Sequence, residues 1–209
     1  MNVFIQQIVA TSYWEWIAVI LALTYLILAI NESIWCWPAA FISTGIYAWL
    51  FFDVNLFMES FLNAYYLVMA IYGWQQWNGT KARNADKSNR TLGIIQWELK
   101  THFIIIISSI LAIVVFGQFL INYTSQDFAY LDSFTTIFAL IATYMVTKKV
   151  LENWLYWIVI DFVSVYLFYS KEFVLTAVLF SFYIVLAIIG WFKWKHQYNL
   201  ISLKSKFVS

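Results

Sequence analysis

Residues 65–77 read YYLVMAIYGWQQW, and residues 182–194 read FYIVLAIIGWFKW. A shift of 117 positions pairs Ala70 with Ala187, Gly73 with Gly190, Trp74 with Trp191 and Trp77 with Trp194. Self-similarity at one fixed offset marks two copies of a structural unit within a single chain. The offset runs without a gap from Trp14–Trp77 onto Leu131–Trp194. Along the way it pairs Glu15 with Asp132, Trp37 with Trp154, Leu50 with Leu167 and Tyr66 with Tyr183.

Composition says what kind of unit is repeated. Of 209 residues, 63% are hydrophobic and 11% charged, whereas a soluble domain carries about 25% charged residues. The apolar residues come in long runs such as IIIISSILAIVVFGQFLI at 104–121, which do not alternate as the strands of a membrane β-barrel must. Each span therefore satisfies its own backbone as a helix, and the fold class is all-α integral membrane. The near-zero net charge offers nothing to nucleic acid. A single cysteine, Cys36, excludes an intrachain disulfide and makes no metal site by itself. His102 and His196 flank apolar runs and read as interfacial residues. The opening MNVFIQQIVATS lacks a basic n-region and reads as mature sequence. No cofactor, metal or enzyme signature is expected: no phosphate-binding glycine loop, histidine-rich set or nucleophile beside a base stands out.

The hydropathy pattern predicts seven spans, at roughly 13–30, 34–52, 56–77, 102–122, 131–148, 150–169 and 172–194. Each is long enough to cross about 30 Å of hydrocarbon. The polar linker 78–100 carries Lys81, Arg83, Lys87, Arg90 and Lys100. Lys148 and Lys149 follow span five, and Lys193, Lys195, Lys204 and Lys206 follow span seven. With seven crossings, those eleven of the twelve basic residues fall on one side and only Lys171 on the other. The positive-inside rule puts the N-terminus outside and the C-terminus in the cytoplasm of a plasma (inner) membrane. Span four then restores orientation between two parallel repeats, giving a 3+1+3 architecture within a single domain, 1–209. Repeat 1 covers 13–77, the linker helix 102–122 and repeat 2 131–194, with a cytoplasmic tail at 195–209. Solute sites in such proteins lie between the repeats near the midplane.

Ionisable residues inside a span are functional candidates by default. Asp161 sits about 16 Å along span six and shares a face with Asn153 and Trp157 at i, i+4, i+8, with Trp154 adjoining. An amide, two indoles and a carboxylate on one stripe suit a flat, polar, cationic solute. The plainer alternative is a carboxylate bonded across a helix interface. On the outer half of span three, Glu59 and Asn63 share a face and either meet a solute or serve as an interfacial carboxylate and a helix contact. Glu15 and Asp132 open equivalent helices, where the helix dipole favours a carboxylate. Trp37-Pro38 opens span two as Asn153-Trp154 opens span six, and Thr44 is the partner of Asp161 by offset. The repeats thus imply one unsymmetrical solute site. Trp74, Trp77, Trp191 and Trp194 end spans three and seven and read mostly as an aromatic belt. Gly73 and Gly190 read as points of close helix approach.

Trp35-Cys36-Trp37-Pro38, Ala70-Ile71-Tyr72-Gly73-Trp74 and above all Glu152-Asn153-Trp154-Leu155-Tyr156-Trp157 resemble the Pnu-type vitamin transporters. The basic pair before the last motif and Asp161 to Val165 after it make the combination fairly specific, and it covers about residues 13–195. The resemblance is greatest to the nicotinamide riboside branch; a thiamine branch is the alternative. It implies a SWEET-like 3+1+3 fold and a homotrimer. It also implies facilitated diffusion of an unphosphorylated vitamin, which a cytoplasmic kinase then traps. The family's Asn-Trp pair falls on Asn153 and Trp154. A span-three glutamine common in the family falls on Asn63, one methylene shorter. An ion-coupled transporter, with Asp161 or Glu59 as coupling carboxylate, and a non-transporting membrane receptor remain as other readings.

Overall fold

The structure, a computed structural model, describes residues 12–53, 57–83, 92–123 and 128–208. These form seven helices: α1 (Tyr13–Ile30), α2 (Cys36–Asp53), α3 (Phe57–Arg83), α4 (Leu99–Tyr123), α5 (Ala129–Thr147), α6 (Asn153–Ser170) and α7 (Val174–Val208). The hydropathy reading of the interior spans lies close to these bounds. The helices α3 and α7 extend beyond the expected spans. α3 continues past Trp77 to Arg83, and α7 runs through the stretch expected as a tail. Both extensions are polar, and polar helix needs no bilayer once several apolar turns have nucleated it.

Local chemistry sets the helix ends. Ser12 caps α1 by accepting the Glu15 N–H at 3.2 Å. Pro38 occupies the first turn of α2, where a missing N–H leaves nothing unpaired. α1, α5 and α6 all close in the same way, on the non-glycine residues Glu32, Lys149 and Glu172 with φ of 53°, 53° and 63°. In α1, Glu32 N–H donates to Ala29 O and Ser33 N–H to Leu28 O; in α5, Lys149 N–H donates to Val146 O and Val150 N–H to Met145 O. These are Schellman closures at repeat-equivalent positions.

Helices α1, α2 and α3 pack in succession, as do α5, α6 and α7. The halves meet along two seams, α3 against α5 and α7 against α1. The offset of 117 converts one seam into the other, so six helices close a ring with approximate two-fold symmetry. α4 stands outside it against α5. The chain is a multi-pass membrane protein. By length and composition α1, α4, α5 and the Val174–Leu203 part of α7 are apolar enough to cross a membrane. α2, α3 and α6 mix polar residues and tryptophans into their apolar stretches, and even 18 residues reach about 27 Å.

The densest core lies at one end of the ring, where α1, α3 and α5 finish and α2 and α6 begin. It gathers Ala29, Ile30, Cys36, Trp37, Ala70, Trp77, Val146, Leu151, Trp154, Ala187 and Trp194. The segment before α4 is strapped to this end by Ile95 N–H to Lys149 O at 3.0 Å and Leu151 N–H to Ile95 O at 2.8 Å.

Candidate functional site

Four indoles form the floor between the halves. Trp37 and Trp77 meet edge to face with centroids 5.2 Å apart, and Trp154 and Trp194 do the same at 5.3 Å. Trp77 and Trp194, each the other's repeat mate, lie 6.4 Å apart and join the two pairs. The row Trp37–Trp77–Trp194–Trp154 is thus symmetrical about its middle. Trp77 and Trp194 are 4% and 0% exposed. The aromatic-belt expectation fails for both: they face inward, because each indole N–H finds a carbonyl on the opposite half. Trp77 Nε1 donates to Thr147 O and Trp194 Nε1 to Ala29 O, both at 3.2 Å.

The two glycines of the repeated motif also have a different task from the one expected. A Cβ on Gly73 would lie 2.4 Å from the Trp37 ring, and one on Gly190 would lie 2.7 Å from the Trp154 ring. They are sockets for indoles, not contacts between backbones.

Above the floor, heights along the helices can be compared at about 1.5 Å per residue. Asp161 is seven residues beyond Trp154, Thr44 seven beyond Trp37, Tyr66 seven before Gly73 and Tyr183 seven before Gly190. All four therefore share a layer about 10 Å above the indoles. Tyr66 and Tyr183 both lie within electrostatic reach of Asp161. Tyr47 stands near Tyr183, and Tyr25 near Tyr66, with its ring 6.2 Å from Trp37. Trp157 packs against both the floor and the cluster Phe138, Ala139, Ala142 and Ile160.

Four buried polar groups on the expected site residues have no hydrogen-bond partner within the described chain: Trp37 Nε1, Trp154 Nε1, Asn153 Oδ1 and Asp161 Oδ1. Each such group costs about 1–3 kcal/mol unless something else satisfies it. Asn153 is held by Nδ2, which donates to Val150 O at 2.6 Å, leaving its oxygen free. Two are donors and two are acceptors, with the indole N–H groups at the two ends of the row and Asp161 about 10 Å above it.

Of the remaining expected residues, Thr44 shares the layer of Asp161 and Trp157 packs on the floor, whereas Asn63 and Glu59 lie farther out. Thr44 returns its hydroxyl to Ala40 O at 2.8 Å, on its own helix. Asn63 is half-buried one turn above Tyr66 and donates Nδ2 to Glu59 O at 2.8 Å. Glu59 lies in the first turn of α3, about 27 Å from Trp77 along the helix. Tyr25, Tyr47, Tyr66 and Tyr183 were not among the expected site residues, although the repeat pairs Tyr66 with Tyr183. The pairing of Tyr66 with Tyr183 at seven residues before each glycine was the available signal.

Comparison with known proteins follows the same lines. The model of the family described as nicotinamide mononucleotide transporter matches residues 12–196. The nicotinamide riboside transporter PnuC of Escherichia coli (strain K12) is 25% identical over 177 residues, 75% of this chain and 74% of its own length. The riboflavin/roseoflavin transporter RibM of Streptomyces davaonensis is 24% identical over 176 residues, 84% of this chain and 81% of its own. A crystal structure of the vitamin B3 transporter PnuC superimposes with a TM-score of 0.73 over 94% of this chain and 88% of that one. At 16% identity that likeness shows the fold.

Proposed function

This chain belongs to the nicotinamide mononucleotide transporter family, and from that premise we propose that it takes up a cationic heteroaromatic vitamin, nicotinamide riboside first, by facilitated diffusion. Asp161 carries the reading. It is 3% exposed, midway along α6, with one oxygen unpartnered. A lone buried carboxylate costs several kcal/mol, which a cation in the same layer offsets. Indole and phenol faces add attraction of up to about 2 kcal/mol in a dry site. Nicotinamide riboside has a charged pyridinium, a carboxamide and ribose hydroxyls to meet Asp161, Asn153 and the two indole N–H groups. Thiamine, with its charged thiazolium, is the second reading. The neutral ring system of riboflavin makes less use of the carboxylate.

In this reading Trp37, Trp154 and Trp157 stack on the solute, Thr44 faces Asp161 across the path, and Asn63 and Glu59 receive solute from outside. The tail end of α7 is cytoplasmic, as the eleven basic residues favour. A cytoplasmic kinase traps the vitamin, and the working unit is a homotrimer.

Purified protein in liposomes tests the proposal. Labelled nicotinamide riboside is expected to equilibrate with neither ion gradient nor ATP. Asp161→Asn is expected to weaken its binding about tenfold or more while leaving the thermal midpoint within a few degrees. A strict requirement for a proton or sodium gradient would point to an ion-coupled transporter instead. Preferred binding of riboflavin, indifferent to Asp161→Asn, would overturn the choice of substrate.

A further inference from the structure

We infer that Glu32 and Lys149, together with Trp77 and Trp194, form the gate that closes the path between the halves at the indole end; this rests on the reading of the chain as a transporter. Glu32 and Lys149 are repeat mates, 117 residues apart, yet they carry opposite charges and pair at 2.7 Å. A residue that touches its own repeat mate lies on the axis relating the halves. Two such contacts occur at this end among the described residues, the ion pair and the tilted contact of the Trp77 and Trp194 rings. They are one structure, because Lys149 Nζ sits 4.5 Å from the centre of the Trp77 ring. Any solute leaving between the repeats at this end must pass the axis, and therefore must part these residues.

Their backbone fits the task. Both occupy the left-handed position at equivalent helix ends, where glycine is the unstrained choice. Placing Glu and Lys there costs about 1–2 kcal/mol each, and the same left-handed closure aims both side chains toward the axis, where they pair. Flanking bonds join the halves at the same level: Lys148 Nζ to Gln76 Oε1 at 3.2 Å, and Lys193 Nζ to Asn31 Oδ1. These are also equivalent positions, with the lysine moved from one side of the seam to the other. Side-chain bonds of this kind break without unfolding a helix, so rocking of one half against the other opens the end and leaves each half intact.

Cys36, the one cysteine, is buried in the floor within electrostatic reach of Lys149 and serves as a native reporter. Its rate of modification by a small maleimide is measured on the full-length protein in detergent. Glu32→Gln and Lys149→Gln are each expected to raise that rate about tenfold, and the exchange Glu32→Lys/Lys149→Glu to bring it back within about twofold of the parent. If Lys149→Gln proves poorly folded, Glu32→Asp, which shortens the carboxylate arm and so weakens the pair, is expected to show an intermediate rate. Singles that lower the thermal midpoint but leave Cys36 protected would reduce the pair to a structural staple and overturn the proposal. So would a well-folded exchange that stays as reactive as the singles. The readout needs no vitamin, so a failed vitamin panel with responsive Cys36 would fault the substrate reading and spare the gate.

Discussion

Gly73 and Gly190 show how much a missing side chain can position. Each leaves room for one indole to lie against a helix backbone, and that indole then fixes the next one at right angles. Adding a methyl group at either place pushes rigid ring atoms, which have no flexible end to yield. Gly73→Ala and Gly190→Ala are each expected to cost about 1–3 kcal/mol or more, read as a lowered thermal midpoint. Gly93→Ala, where nothing lies within 4 Å of the added carbon, is the control and should change little. The sequence read these glycines as points of close helix approach, and the atoms that fill the space are indole rings. Spacing identifies a small residue, but only the packed neighbour says whether it admits a helix or a ring.

Among the helices, equivalent seams are built from different chemistry. In the first half, Ser43 Oγ donates to Ala18 O at 2.8 Å and ties α2 to α1 in a buried place. The equivalent of Ser43 in the second half is Ile160, which packs with Phe138, Ala139 and Ala142. Ser43→Ala is therefore expected to destabilise by about 0.5–1.5 kcal/mol, with faster hydrogen exchange near the middle of α1. Exchange confined to α6 or α7 would show the halves to be coupled more tightly than their seams suggest. The seven helices were legible from hydropathy because each span, its polar residues included, is mostly apolar over about 20 residues. The polar ends of α3 and α7 were not, since helix propensity beyond the bilayer leaves only a weak mark.

At the scale of the whole ring, two indole N–H bonds cross between halves in opposite directions. Trp77→Phe and Trp194→Phe keep an aromatic ring while removing one crossing bond each. Each is expected to lower stability by about 0.5–1.5 kcal/mol, and the two losses should be similar in chemical unfolding. A large difference would mean that the seams are not equivalent in energy. The 117-residue offset and the apolar runs by themselves determined the membrane class, the seven helices and the 3+1+3 plan, because periodicity and hydrophobicity are properties of the chain. Asp161, Asn153 and Trp154 could likewise be singled out as costly residues in an apolar setting. Tertiary structure alone decided that Trp77 and Trp194 turn inward, that the tyrosines join the layer of Asp161, and that Glu32 meets its own mate Lys149. Those facts depend on which faces of distant helices come together, and contacts between halves leave no period in the sequence to read.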